Sequence, residues 1–152
     1  VAILIRQQKV SLHHLAEFRK MMEGHISEQA ATLAGKQDIK KLKSILKQAA
    51  DHIETKPGGW KAFHKMDAEF HRILAKIAKN PLIEANLATV HDNIQIYFHK
   101  YLPWSEALLR ENYKDLCDIT TAVEQKDPVS ARRLAEDHVS KFNELMEKHL
   151  NA

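Results

Sequence analysis

The feature that most constrains this chain is how rarely its sequence is interrupted. Its 152 residues include only four glycines and four prolines, the residues that most often end helices and strands. The strong breakers stand at Gly35, residues 57–59, Pro81, Pro103 and Pro128. They divide the chain into six long segments, and most of these exceed the roughly 3 to 10 residues of an ordinary strand.

Within each segment the apolar residues recur every three to four positions, which is the spacing of one face of an α-helix. The first segment follows Ser11, a residue type that favours the N-cap position. Asp38 is placed to cap the second helix, and Asp127 followed by proline opens the last one in a cap-then-proline pattern. No segment alternates with the period of two that marks a strand. The sequence therefore predicts an all-α protein, an antiparallel bundle of about six long helices with short connections.

The composition excludes several classes of protein. Hydrophobic residues make up 44% and charged residues 28% of the chain, as in an ordinary globular domain, and no apolar run approaches the roughly 18 residues of a membrane span. The net charge of +3 is spread along the chain without the basic block of a nucleic-acid-binding surface. We expect one cytoplasmic domain that does not enter a membrane and does not bind DNA by itself.

The ten histidines fall into groups with different expected environments. On the last predicted helix, apolar residues surround His138 at helical spacing, so this imidazole is expected in the buried face. A buried imidazole costs free energy unless a partner satisfies it. Five others lie off or beside the apolar stripes and are expected at the surface: His13, His14, His25, His52 and His64.

Asp67 and His71 are four residues apart and therefore stack on one face of the third predicted helix. In a structural interpretation, Asp67 accepts a hydrogen bond from His71, and His138 bonds a backbone carbonyl or a water molecule. In a functional interpretation, the carboxylate and the two imidazoles project into the bundle and bind zinc, nickel or a similar divalent ion. The spacing alone leaves both interpretations open.

Several sequence motifs resemble those of one family. The sequence DAEFHRIL at 67–74, followed by NPL at 80–82, resembles the D-x-x-F-H-x-x-L…N-P-L signature of the FCD domain, the ligand-binding half of FadR-type GntR bacterial transcription regulators. Residues 18–23 resemble the R-x-x-x-E element of that family's first helix, and residues 119–138 resemble its C-terminal pattern. The resemblance spans residues 12–149 without obvious insertions.

The resemblance implies a metal site. In the metal-binding members the ligands are the Asp and His of the first signature, a His on the penultimate helix and the His of the last helix. The corresponding residues here are Asp67, His71, Leu116 and His138, so an isobutyl group replaces one imidazole. The residues on either side of Leu116 point about 100° away and are poor substitutes. The chain either holds one divalent ion, zinc or nickel, with three protein ligands plus water or effector, or it has lost the metal.

Three residues are expected to line the ligand pocket. Arg19 fits the arginine that binds the effector's carboxylate in the metal-dependent members, since a guanidinium can make two hydrogen bonds to a carboxylate. An ion pair with Glu23, four residues later, explains Arg19 equally well. Leu116 lies in the inward stripe of its helix, and Asn112 lies one turn earlier on the same face.

The resemblance also implies a function. The chain is expected to be the effector-sensing and dimerisation domain of a transcription regulator, binding a small metabolite and controlling DNA binding by an upstream winged-helix domain. The effector is expected to be a carboxylate, bound with or without a metal ion. Residues 1–10 are then the linker tail from that missing domain, and residues 11–152 are the FCD-like domain, which is expected to form a homodimer.

Two alternatives and one exclusion accompany this expectation. Leu116 favours a metal-free sensor of a larger apolar ligand, such as an acyl thioester. A purely structural helical interaction domain would share the bundle but have no ligand cavity. An enzyme is not expected, because the sequence has no Glu-x-x-His pair of the di-iron bundles and Cys117 has no evident activating partner.

Overall fold

A computed structural model describes residues 1–54, 59–102 and 105–151, which form seven α-helices and no strand. This confirms the predicted all-α bundle. None of the described helices combines the length and the apolar character needed to cross a lipid bilayer. The helices are α1 Ala2–Arg6, α2 Leu12–Leu33, α3 Lys36–Glu54, α4 Gly59–Ile77, α5 Pro81–Tyr101, α6 Glu106–Glu124 and α7 Pro128–Leu150.

Local capping explains where the long helices begin. The Ser11 side chain accepts a hydrogen bond from a backbone amide of the first turn of α2, and Asp127 does the same for α7, as predicted. Asp38 was predicted as the cap of α3, but that helix begins two residues earlier at Lys36. The Asp38 carboxylate instead accepts a hydrogen bond from the Gly35 backbone amide at 2.9 Å. This is the contact that the N3 residue of a helix makes in a capping box.

The packing places α2 at the centre of the bundle. Its most extensive contact is with α7, and it also contacts α4, α5 and α6. Residues 1–10, expected as a linker tail, contain α1, which packs against α5. Ile5 is buried, and the Tyr97 hydroxyl donates a hydrogen bond to the Val10 carbonyl at 3.0 Å. Contacts therefore tie this segment to the rest of the domain.

Three clusters of buried apolar residues lie in the described part of the bundle, and the smallest consists of Ala49, Ile53, Phe63 and Leu109. The first apolar cluster includes Ile26, Ala30, Leu74, Leu87, Leu116, Ile119, Ala131 and Ala135. The second apolar cluster includes Ile5, Leu12, Leu15, Val90, Ile94, Phe142 and Met146. Because α2, α5 and α7 each contribute to both the first and the second cluster, each of these helices passes from one to the other. On α2, Arg19 and Glu23 lie between the parts of the helix that belong to these two clusters, as does His138 on α7. On α5, His91 lies between Val90 and Ile94 of the second cluster.

Candidate functional site

Buried polar side chains from five helices form a layer between the first and second apolar clusters. Each is at most 7% exposed. The members, hereafter the polar layer, are Arg19 and Glu23 of α2, His64, Asp67 and His71 of α4, His91 of α5, Asn112 of α6 and His138 of α7. Burying charged groups costs several kcal/mol each unless they are paired, and clusters of this kind are frequent at functional sites.

The structure brings together the three residues expected to bind metal. Asp67, His71 and His138, hereafter the Asp67 triad, each place one ligand atom within 4.8 Å of the others. Asp67 Oδ1 and His71 Nε2 are 3.5 Å apart, and both atoms are buried without a hydrogen-bond partner. The two side chains thus form a buried ion pair with a long contact, and this geometry is compatible with both the structural and the functional interpretation.

His138 is held by a carboxylate that the sequence reasoning did not assign to it. Its Nδ1 lies 2.8 Å from Asp115 Oδ2, and Lys141 Nζ approaches the same oxygen at 2.5 Å. Burial favours a higher pKa for Asp115, but His138 and Lys141 together hold that pKa below its ordinary value. In the tautomer that donates its Nδ1 hydrogen to this carboxylate, Nε2 carries the lone pair that a metal ion would bind.

The chemistry of the Asp67 triad fits a divalent transition metal ion. A carboxylate oxygen and two imidazole nitrogens are ligands that zinc and nickel accept. Two buried polar atoms without partners are what such an ion would satisfy. The hydrogen bond from His138 to Asp115 is the kind of outer contact that orients a metal-binding histidine. Leu116 is fully buried in the first apolar cluster, so its side chain supplies no fourth ligand.

A second group of possible ligands shares His71. Glu23, His71 and His91, hereafter the Glu23 triad, also place one ligand atom each within 4.8 Å of one another. Glu23 Oε1 accepts a hydrogen bond from His91 Nε2 at 2.7 Å and from Arg19 Nη2 at 3.2 Å. The imidazole rings of His71 and His91 stack with their centroids 4.8 Å apart.

Burial and charge pairing together set the protonation of this layer. Burial tends to raise the pKa of Glu23, but Arg19, His71 and His91 hold it well below its ordinary value. Burial likewise tends to raise the pKa of Asp67, but His71 outweighs burial and holds that pKa below its ordinary value. For His71 itself, burial lowers the pKa, yet the two carboxylates raise it overall. Burial prevails at His91, whose pKa is lowered in spite of Glu23.

The prediction that His64 lies at the surface was wrong. This residue is 5% exposed, and its ring lies 5.9 Å from that of Phe98. Burial lowers the pKa of His64 to about 4, although the nearby charge of Asp67 acts in the opposite direction. The other four histidines expected at the surface are exposed or half-buried: His13, His14, His25 and His52.

The three expected pocket residues also lie in or beside the polar layer. Arg19 is buried, pairs with Glu23 and stands 5.7 Å from the centroid of the Phe98 ring. Asn112 is buried, and its Oδ1 has no hydrogen-bond partner. Leu116 is buried and belongs to the first apolar cluster.

Two buried histidines that the sequence reasoning missed, His64 and His91, carried a detectable signal. His64, Asp67 and His71 follow one another at intervals of three and four, so they form a polar stripe beside the apolar stripe of α4. His91 lies four residues after Leu87 and three before Ile94, both of them buried. The same helical periodicity that identifies core residues would have found these histidines.

Comparison with known proteins identifies a family and a similar fold. The family model of the FCD domain matches residues 14–141. A solved structure of Streptococcus agalactiae GntR is similar, with a TM-score of 0.71 and 20% sequence identity, over 88% of this chain and 58% of that one. At this identity the likeness concerns the fold, and the chain spans less than two thirds of that protein's length. A search of curated proteins gave no match.

Proposed function

Because this chain belongs to the FCD domain family, we propose that it is the effector-sensing and dimerisation domain of a GntR-type transcription regulator. The FCD family is a family of regulator domains rather than of enzymes. The polar layer is the proposed effector site, since it is the place where five helices direct buried polar groups toward one another.

The observation that carries the proposal is the Asp67 triad with its buried atoms that have no hydrogen-bond partner. Asp67, His71 and His138 would hold one zinc or nickel ion. Such an ion supplies positive charge and Lewis acidity toward an anionic effector. The charges of Arg19 and Glu23 cancel, and Asp67 neutralises half the charge of a divalent ion. One positive charge then remains, which suits a small carboxylate.

Two further side chains are proposed to contact the effector. Asn112 Oδ1 lacks a partner and is available to accept a hydrogen bond from a hydroxyl or amine group. Arg19 is proposed to meet the effector's carboxylate. Its hydrogen bonds to Glu23, 3.2 to 3.5 Å long, are at the long end of the range for charged pairs, so an incoming carboxylate can compete for them.

The regulatory step is a shift between two arrangements of a dimer. An effector changes DNA binding only if it favours one arrangement, since equal affinity for both changes nothing. DNA would be bound by an upstream winged-helix domain of the same regulator, and the location would be cytoplasmic. Homodimerisation is checked by light scattering, which should give about 35 kDa, twice the 17.5 kDa of the chain.

One observation supports a second candidate function. Leu116 is fully buried at the position where metal-binding relatives carry an imidazole, and an apolar side chain there suits an apolar ligand. In this alternative the chain is a metal-free sensor of a larger ligand such as an acyl thioester.

The decisive experiment measures the metal content of untagged protein by inductively coupled plasma mass spectrometry, with thermal melts before and after chelator treatment. We expect about one zinc or nickel ion per chain and a lower melting temperature after chelation, because ligand at 100 times its Kd stabilises by about 2.7 kcal/mol. Asp67→Asn is the matched variant, and it should bind the ion more weakly and show a smaller fall in melting temperature after chelation. A metal-free protein that ignores chelator and added metal would exclude the metal-dependent sensor in favour of the apolar-ligand one.

A further inference from the structure

We propose that Glu23, His71 and His91 form a second binding position for a divalent metal ion, adjacent to the Asp67 triad and sharing His71 with it. The proposal uses the metal chemistry of the proposed function but does not depend on any effector. It assigns roles to Glu23 and His91 that follow from their position in the polar layer. In a chain whose family position at Leu116 lacks its imidazole, His91 offers another one from α5.

The donor set and its geometry suit an ion. One carboxylate oxygen and two imidazole nitrogens lie within 4.8 Å of one another, and all three residues are at most 4% exposed. A tetrahedral zinc or cobalt ion, with bonds of about 2.0 to 2.2 Å, holds its ligand atoms about 3.4 Å apart. The 2.7 Å contact between His91 and Glu23 would lengthen by under about an ångström to reach that value. For His91 Nε2 to bind the ion, the hydrogen that it donates to Glu23 must also move to Nδ1 or to solvent.

The surrounding charges decide which of the two positions binds a metal ion more tightly. Arg19 holds the Glu23 carboxylate from behind, which orients it but also places a positive charge beside any bound cation. In the Asp67 triad the outer contact is instead the Asp115 carboxylate on His138, which strengthens that ligand. The Glu23 triad is therefore the weaker position. It connects α2, α4 and α5, whereas the Asp67 triad connects α4 and α7.

Cobalt binding separates the two positions. Titration with Co²⁺ is followed by its visible absorption bands, which report ligation without any effector or DNA. The double variant Asp67→Asn/His138→Gln removes two ligands of the Asp67 triad and leaves the Glu23 triad complete. We expect it to bind Co²⁺ at least about 10- to 100-fold more weakly than the unsubstituted chain, since losing only an outer partner of a ligand already costs that much. Adding His91→Gln should abolish the remaining binding.

The control variants separate an effect on metal binding from an effect on folding. Glutamine at position 91 can still donate a hydrogen bond to Glu23, so its effect reports the loss of the imidazole. Circular dichroism verifies helical content, and the single variant Asp67→Asn replaces the double one if the latter does not fold. The cobalt bands of Asp67→Asn should then disappear when His91→Gln is added.

The outcomes distinguish this inference from the proposed function. If the folded Asp67→Asn/His138→Gln chain binds no Co²⁺ while the unsubstituted chain does, the second position is overturned and the Asp67 triad stands. If the double variant binds as tightly as the unsubstituted chain, the second position is supported as the main one, and the metal assignment of the proposed function fails. Absence of Co²⁺ binding in every variant overturns both.

Discussion

At the scale of single residues, Leu116 has the largest consequence for the site. Its side chain is fully buried with Ile119, Leu74 and other members of the first apolar cluster. Burying a leucine stabilises a fold by about 1.5 to 3 kcal/mol, whereas an imidazole at the same place would need a partner. Leu116 thus contributes apolar packing at the position where the family resemblance implies a metal-binding imidazole.

Leu116→His tests this exchange. We expect the metal-free variant to lose about 1 to 3 kcal/mol of unfolding free energy, because the new imidazole is buried without a partner. Its zinc affinity should rise at least about tenfold, the scale of one added ligand contact, as measured by competition with a chelating indicator. Leu116→Met keeps the volume and adds no imidazole, so it should leave the affinity unchanged. A folded Leu116→His chain with unaltered zinc affinity would contradict the assignment.

At the scale of helices, the packing of α2 against α7 depends on a close approach at Gly24. A Cβ atom placed there would lie 2.8 Å from Glu136 Oε1 and 3.0 Å from Glu136 Cγ. Such distances force a shift, and the atoms that must move belong to a flexible side chain. Glu136 also approaches Arg132 Nη1 at 3.4 Å, so its displacement disturbs that contact as well.

A double-mutant cycle measures the conflict. Alanine is favoured over glycine within a helix by about 1 kcal/mol, and in the Glu136→Ala background Gly24→Ala should gain most of that amount. In the presence of Glu136 the gain should be smaller or reversed, because the side chain must move. Urea denaturation of the four proteins gives the coupling. Equal effects of Gly24→Ala in both backgrounds, within about 0.3 kcal/mol, would show that Glu136 adjusts freely.

The N-cap of α7 predicts a pH dependence. Hydrogen bonds from Ser130 lower the pKa of Asp127, so its folded pKa lies below the unfolded value of about 4. The contribution to stability is therefore present above about pH 4 and is lost as the pH falls through the folded pKa. Asparagine also caps helices but does not titrate. The melting temperature of the unsubstituted chain relative to Asp127→Asn should decline below about pH 4, and a constant difference would rule out this titration.

At the scale of the whole molecule, the polar layer divides what would otherwise be one continuous core. Replacing a buried ion pair by apolar residues is often neutral or stabilising, by up to about 4 kcal/mol, whereas removing one partner is destabilising. Stability of the metal-free fold therefore does not explain why Asp67 and His71 are buried together. The metal-binding role proposed above for these two residues would account for it.

The double variant Asp67→Leu/His71→Leu should unfold at higher urea concentration than the metal-free parent, because two poorly satisfied polar groups leave the interior. Asp67→Leu alone should be less stable than the double variant, since His71 would then lose its nearest carboxylate. The double variant, which lacks the histidine shared by both triads, should gain no stability from added zinc. A double variant clearly less stable than the metal-free parent would show that the pair serves the fold instead.

The sequence by itself determined the helices and where they begin. Capping residues, prolines and apolar periodicity act within one or two turns, so the local chain contains the information. The starts of α2 and α7 follow their predicted caps, and the burial of Asp67, His71 and His138 follows from their register on α4 and α7.

Only the tertiary structure decided which face of α2 is buried. Phe18 and Met22 are apolar residues one turn apart on α2, yet both are half-buried, whereas the charged Arg19 and Glu23 are buried. These two charges neutralise each other, and Glu23 is further satisfied by His91, 68 residues away in the sequence. Burial of a charge depends on partners that folding brings from distant parts of the chain, and local periodicity contains no record of them.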